Sequence, residues 1–287
     1  MPSFAASIAR AVLPLLPMLV LAAACQPTPP SSPAGVPPGG GAVADLPLPG
    51  GATQRVLYLD PDGPPAATLV LLPGGGGVLR IADDGHIGRD GNFLIRTRDL
   101  WRQQGFEIVI PDVPSDRNDL LGFRLTDAYG ETLRRIVASA RERHPAAPVW
   151  LVGTSQGTNA AVNAGSRLAA GGEIAGLVLT SSVTRQGNNR LGRTDTVFGA
   201  RLDRVTVPVL IVAHRDDHCV ITPPNDAARL RGALTGSPRT ELMIVDGGLP
   251  PRSDPCEAFS EHGFYGIEPA VVGRIAAWIR GNGATAP

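Results

Sequence analysis

Residues 149–157 read VWLVGTSQG, an apolar run that leads into a serine between two glycines. The run is typical of a buried strand, and an Ala-rich segment with helical character follows it. In a G-x-S-x-G sequence at such a strand-to-helix turn, the serine takes a strained backbone conformation that raises its hydroxyl above the sheet. Gly153 and Gly157 are required because side chains there would collide with the neighbouring strand and helix. The stretch therefore predicts a nucleophilic serine, Ser155.

Apolar segments alternate with helical segments on both sides of this stretch. The pattern predicts strands at 55–59, 68–72, 107–111, 149–152, 177–180, 209–213 and 241–245, and helices at 127–143, 156–170, 225–234 and 268–280. Several strand segments, such as TLVLL and PVLIVA, are continuously apolar, as in parallel strands that are covered on both faces. The alternation predicts one α/β domain, a mostly parallel twisted sheet with helices on both faces.

Two further elements are candidates for a serine-based site. A glycine run, residues 73–77 (PGGGG), follows the strand TLVLL, and glycine lets main-chain N–H groups face a substrate without a Cβ atom in the way. No Lys-Ser or Lys-Thr follows the run, which excludes a phosphate-binding P-loop. A serine hydroxyl also needs a neighbouring base, and the chain offers five histidines, His86, His144, His214, His218 and His262.

Together, the serine turn, the earlier glycine run and a histidine after the last strand resemble the α/β-hydrolase superfamily over residues 55–281. The resemblance implies the chain order serine, acid, histidine, and of the five histidines only His262 follows the last predicted strand. The acid then follows strand 209–213, where Asp216 and Asp217 are both candidates. The stretch 217–220 (DHCV) resembles the family's D-x-C-V pattern, which favours Asp217.

The resemblance also implies an oxyanion hole, a pair of main-chain N–H donors for the negatively charged intermediate. Gln156, directly after the nucleophile, supplies one donor. The glycine run resembles the HGGG element of lipases and esterases, with Pro73 in place of the histidine, so Gly75 or Gly76 supplies the other.

The implied activity is hydrolysis of carboxylic esters through an acyl-enzyme, without a cofactor. A peptidase or amidase would use the same residues. The connection 181–203 is short and polar and lacks the apolar helix of a lipase lid, as in lidless members similar to dienelactone hydrolases. We therefore expect an open or shallow site for short-chain or polar esters.

The N-terminal residues 1–24 predict a signal peptide, because Arg10 is their only charge and the apolar stretch 11–24 is too short to span a bilayer. The ending LAAAC resembles a bacterial lipobox, with Ala22 where Leu is usual, so that Cys25 would carry lipid; ordinary cleavage that leaves Cys25 as a thiol is the alternative. Gln26 stands where inner-membrane retention calls for Asp, which favours the outer membrane and its periplasmic side, with secretion as the other possibility. The Pro/Gly/Ser-rich residues that follow predict a solvated tether, giving the domains 1–24, 25–54 and 55–287.

The chain contains three cysteines, so a lipidated Cys25 leaves Cys219 and Cys256 as a pair. Export to an oxidising compartment favours a disulfide between them, which would tie the acid segment to the histidine segment. Two buried thiols are the alternative.

The charge composition argues against nucleic-acid binding. The 26 basic residues, all arginine, balance 26 acidic residues, so no basic face is available for nucleic acid. We expect a monomer whose partners are a small ester substrate and, through the lipid, a membrane. Arg96, Arg98 and Arg102 are expected on a solvated helix face, with contact of one of them to an anionic substrate as the alternative.

Two other classes of function stay open. One is a non-catalytic, surface-anchored binding protein with the same fold. The other is a metal site built from His214, Asp216, Asp217, His218 and Cys219. It is disfavoured because the two histidines lie at the end of a strand, not on one helical face, and because Cys219 is better used in a disulfide.

Overall fold

The computed structural model describes residues 1–2, 41–189, 192–193 and 195–283. Contacts divide the chain into two units, Met1–Pro37 and Pro38–Pro287, and the fold below is that of the second unit. Cys25, most of the predicted tether and all of the predicted signal peptide except Met1 and Pro2 lie outside the described residues.

Eight strands form the main sheet of the described chain, in the order β1-β2-β4-β3-β5-β6-β9-β10. Strands β1 and β2 pair antiparallel, as do β2 and β4, and every other pair in this sheet is parallel. Strands β7 and β8 pair antiparallel with each other outside the main sheet. The strand bounds are β1 Ala42–Pro47, β2 Thr53–Leu59, β3 Ala67–Leu72, β4 Phe106–Pro111, β5 Val149–Thr154, β6 Gly176–Thr180, β7 Asn188–Asn189, β8 Gly192–Arg193, β9 Val209–His214 and β10 Thr240–Val245.

Helices cover both faces of the sheet, as the sequence predicts. Successive residues of β3 point to opposite faces, so Val70 and Leu72 belong to one apolar core and Leu69 and Leu71 to another. Helices α3, α4 and α5 contribute to the first core, and α1, α2 and α6 to the second. The helix bounds are α1 Phe93–Arg96, α2 Arg98–Gln103, α3 Asp127–Arg143, α4 Gly157–Leu168, α5 Ala227–Ala233 and α6 Glu268–Gly283. None of the described helices is both long and apolar enough to cross a membrane.

The start of the domain differs from the prediction. Residues 42–47, predicted as part of the solvated tether, form strand β1, which pairs with β2 from Ala42 opposite Tyr58 to Pro47 opposite Thr53. The predicted boundary between 54 and 55 is therefore wrong. An edge strand is covered on one side only and tolerates proline, so it lacks the continuous apolar run that marks the inner strands.

Candidate active site

The turn between β5 and α4 holds Ser155 at a φ of +51°, a conformation that non-glycine residues rarely adopt. The Ser155 N–H donates to the Thr180 carbonyl at 3.0 Å, which anchors the turn to β6. A Cβ atom at Gly153 would lie 2.6 Å from the carbonyl oxygen of Gly157, and one at Gly157 would lie 1.9 Å from that of Leu72. Both glycines are therefore required by close backbone contacts.

A buried carboxylate contacts the histidine predicted for this site. The Nδ1 atom of His262 lies 3.0 Å from Oδ2 of Asp217. The other oxygen, Oδ1, accepts the Cys219 N–H at 2.9 Å, and the Thr222 hydroxyl donates to Oδ2 at 2.9 Å. Because an ionised carboxylate only accepts hydrogen bonds, this contact fixes the proton of a neutral His262 on Nδ1 and leaves Nε2 as the basic nitrogen.

The two adjacent aspartates have different surroundings. Asp217 is buried against His262, whereas Asp216 is exposed and its N–H donates to Nδ1 of His214 at 3.1 Å. Of the two candidates, Asp217 is the one that contacts the imidazole.

Three residues that the sequence did not assign to the site hold its histidine segment. The Thr222 hydroxyl lies 3.1 Å from Nδ1 of His262, and the Ser181 hydroxyl donates to the His262 carbonyl at 2.8 Å. The Arg96 guanidinium donates to the Gly263 carbonyl at 2.6 Å and forms an ion pair with Glu268 of α6. The expectation of a solvated Arg96 is wrong, since only 15% of its side chain is exposed.

The predicted disulfide between Cys219 and Cys256 is present. It connects the segment that carries Asp217 to the one that leads to His262. With its sulfur in this bond, Cys219 offers no thiolate to a metal, and His214 contacts the Gly247 carbonyl instead at 2.8 Å. Asp217 and Cys219 lie close to each other and to His262, but the Cys219 sulfur is already bonded to Cys256.

The glycine run forms a tight turn beside Ser155. The Gly77 N–H donates to the Gly74 carbonyl at 3.2 Å, and Gly75 has a φ of +56°. The Gly75 N–H lies on the opposite side of the same peptide plane from the Gly74 carbonyl and so points out of the turn. Behind the run, Arg124 is 2% exposed and donates to the Pro73 carbonyl at 3.2 Å. Burial lowers the pKa of Arg124 to about 10.

One cavity of about 810 Å³ brings these elements together. Residues 73–77, Ser155, Gln156 and His262 all line it. Its other walls are mainly apolar, with Val220 and Phe259, 76% and 40% exposed, on the segments joined by the disulfide. In the described part of the connection 181–203, no α-helix covers it.

No protein-family model matches the sequence, and no curated protein matches it. Solved structures do resemble the chain. A soluble variant of monoglyceride lipase from Saccharomyces cerevisiae has a TM-score of 0.61 at 14% identity, with coverage of 88% of this chain and 99% of that one. An α/β serine hydrolase without a lid from Xanthomonas campestris has a TM-score of 0.54 at 15% identity, with coverage of 88% and 100%. A thermostable carboxyl esterase from Bacillus coagulans has a TM-score of 0.55 at 12% identity, with coverage of 84% and 98%.

The chain has the α/β-hydrolase fold. Within this fold Ser155 follows β5, Asp217 follows β9 and His262 follows β10, so three chain segments meet at the carboxyl ends of parallel strands. The arrangement offers a hydroxyl on a strained turn, an imidazole held by a carboxylate, and main-chain N–H groups in one cavity. Such groups can activate a hydroxyl and stabilise negative charge on an oxygen.

Proposed function

We propose that this chain is a serine hydrolase that cleaves carboxylic esters, with Ser155 as nucleophile, His262 as base and Asp217 as the residue that orients His262. The observation that carries the proposal is the buried contact of His262 with Asp217 in the cavity that also contains Ser155. The α/β-hydrolase fold alone would not support it, because that fold hosts many functions.

The reaction follows from the positions of the protons. The Ser155 oxygen forms a bond to the ester carbon, its proton moves to Nε2 of His262, and the carbonyl electron pair moves onto the oxygen. Collapse of this intermediate breaks the bond to the alcohol, which leaves with the proton from His262. Water then repeats the two steps on the acyl-enzyme, releasing the acid and restoring Ser155. The negatively charged oxygen is held by the N–H groups of Gln156 and of Gly75 or Gly76.

Short-chain or polar esters remain our proposed substrates. The apolar walls of the cavity, which include Val78 and Leu121, suit a small acyl group. The described part of the connection 181–203 contributes no α-helix that would enclose a long chain. The solved structures that resemble this chain include a carboxyl esterase and a monoglyceride lipase, which favours an ester over an amide as the bond cleaved.

A panel of acyl esters with matched amides tests the proposal. We expect hydrolysis of the short acyl esters by the full chain, far slower hydrolysis of the amides, and covalent labelling by a serine-directed phosphonate. Ser155→Ala should abolish both turnover and labelling. Ser166→Ala is the matched control, since its hydroxyl bonds to the Asn163 carbonyl on α4 outside the cavity. Equal labelling of wild type and Ser155→Ala would favour a non-catalytic binding protein with this fold.

We further propose that the enzyme is exported and anchored by lipid on Cys25. The proposal rests on the LAAAC sequence at residues 21–25. Labelled palmitate should enter the wild-type chain in a bacterial host and fail to enter Cys25→Ser, which should leave the membrane fraction. Incorporation into Cys25→Ser at the wild-type level would contradict the anchor without affecting the proposed reaction.

A further inference from the structure

Asn92, the residue before α1, lies beside the glycine run. Its Oδ1 atom accepts the Leu94 N–H at 3.1 Å and so caps this short helix. A main-chain N–H can only donate, so the contact assigns the oxygen to that branch of the amide and Nδ2 to the other. The donor of the amide is therefore directed away from the helix that the acceptor caps.

The Nδ2 atom of Asn92 is close to the nucleophile. A Cβ atom built on Gly74 would lie 3.4 Å from this nitrogen and 2.9 Å from Cβ of Ser155. The absence of a side chain at Gly74 thus leaves open the space between the amide and Ser155. Asn92, Gly74 and Ser155 all line the same cavity. Within the described part of the chain, no protein atom accepts a hydrogen bond from Nδ2.

A single guanidinium fixes the position of Asn92 relative to His262. Arg96 donates to the Gly91 carbonyl at 2.9 Å and to the Gly263 carbonyl at 2.6 Å. It is held in turn by Glu268 at 2.9 Å. The residue before Asn92 and the residue after His262 therefore share one anchor, which keeps the amide in place at low entropic cost.

We propose that Asn92 is a catalytic residue of the ester hydrolysis proposed above, on which this inference rests. Its Nδ2–H donates a hydrogen bond to the substrate oxygen that becomes negative when Ser155 attacks, and adds a side-chain donor to the main-chain N–H groups. The bond strengthens as charge develops on that oxygen. Its loss therefore lowers kcat more than it changes KM.

Substitutions that keep an oxygen to cap the helix and remove the Nδ2 amide provide the test. Asp and Ser are good N-cap residues, so Asn92→Asp and Asn92→Ser should melt like the wild type. We expect each to lower kcat on a short acyl ester by about 100-fold, the size typical of one lost oxyanion donor, with little change in KM. Asn92→Ala loses cap and donor together, so it should show the same loss in kcat and a lower melting temperature.

The opposite results are equally clear. Wild-type kcat in Asn92→Asp and Asn92→Ser, with a lower melting temperature in Asn92→Ala alone, would reduce Asn92 to a helix cap. A rise in KM at unchanged kcat would also overturn the inference. If the wild type shows no hydrolysis that depends on Ser155, the proposed function fails and this inference fails with it. Ser155-dependent hydrolysis at full rate in both cap-preserving variants overturns the inference alone.

Discussion

The residues that the structure describes contain two contacts between a histidine and an aspartate side chain. One lies at the carboxyl ends of the parallel strands (the carboxyl edge of the sheet) and the other at their amino ends (the amino edge), and only the first forms a candidate site. At the carboxyl edge His262 contacts Asp217 at 3.0 Å, and at the amino edge His144 contacts Asp60 at 3.1 Å. The distances are similar, but the surroundings differ. His262 reaches the carboxylate through Nδ1 in a cavity with Ser155, whereas His144 uses Nε2 beside Arg143.

At the amino edge, Asp60, Glu107 and His144 surround Arg143, and contacts among these four residues indicate a structural role. The Arg143 guanidinium contacts Asp60 at 2.9 Å and the buried Glu107 at 2.6 Å, where Thr68 also donates at 2.6 Å. Oxygen and nitrogen atoms of Asp60, Glu107 and His144 lie close enough to hold a metal ion, but arginine already supplies the positive charge. A histidine–carboxylate contact thus becomes a catalytic candidate only with a nucleophile and space for a substrate.

The largest expected effect separates the two histidines directly. His262→Ala should lower kcat for a short acyl ester by about 10⁴-fold or more, because the proton of Ser155 then lacks an acceptor. His144→Ala should leave kcat within about twofold of the wild type, since no nucleophile lies beside it. Steady-state kinetics of the two purified variants decide the matter. A comparable loss of kcat in both variants would contradict the assignment of a catalytic role to His262 alone.

The second difference between the carboxyl and amino edges is the Cys219–Cys256 disulfide, which lies at the carboxyl edge. Cys256→Ser removes the disulfide, which joins two residues separated by 37 positions in the sequence. On the chain-entropy model, loss of this bond should lower the free energy of unfolding by about 4 kcal/mol. Denaturant unfolding of wild type and variant measures the change, and wild type treated with reductant serves as the control. An unchanged midpoint in both would mean that the bond contributes nothing to stability.

Two threonines offer a matched pair for a smaller effect. Thr222→Val removes the hydroxyl that contacts both Asp217 and His262, and kcat should fall about 10-fold as the imidazole loses orientation. Thr68→Val removes the hydroxyl bound to buried Glu107, so it should cost about 1–3 kcal/mol of stability and leave kcat unchanged. Urea unfolding and ester kinetics on both variants test the pair. A drop in kcat for Thr68→Val alone would contradict the proposal that Thr222 supports the site and Thr68 supports stability.

The smallest expected effect concerns acid sensitivity at the amino edge. Burial raises the pKa of Asp60, but hydrogen bonds from His144 and Arg143 outweigh it, so the pKa lies below its ordinary value. A lowered carboxyl pKa contributes stability above the ordinary value near 3.9, and this contribution disappears as pH falls through the lower folded-state value. Asp60→Asn should therefore destabilise the chain by less than about 1 kcal/mol at pH 7, because the carboxyl is half exposed. Urea unfolding at pH 7 and pH 3 should show the difference shrinking in acid, and a difference that grows instead would contradict this sign.

The sequence predicted the parts of the fold that have local signals. Helix α3 begins and ends at the predicted residues, Asp127 and Arg143, because its apolar positions recur with helical period and Thr126 caps its start. The other seven strands of the main sheet were predicted, several of them, such as β3 and β9, through continuous apolar runs. Strand β1 was missed because half-covered edge residues in a Pro/Gly-rich context resemble a linker.

The site was predictable to the extent that chain order fixes it. Ser155 has a motif, and the position of His262 after the last strand singles it out. Thr222, Ser181 and Asn92 have no such signal, because their contacts depend on segments that meet only in the folded chain. Arg96 was expected in solvent since nothing near it in sequence reveals Glu268, 172 residues away.

Strand β1 has a consequence for how the chain behaves at high concentration. An uncovered sheet edge is a template on which another copy can add a strand and start an aggregate. Here one edge strand carries Asp45, paired with Arg55, and ends in Pro47, which has no N–H to donate. The other edge strand, β10, carries Glu241 paired with Arg239. Charge and proline on the edge strands β1 and β10 oppose pairing between the sheets of neighbouring copies. Many copies at high local concentration should therefore remain separate molecules.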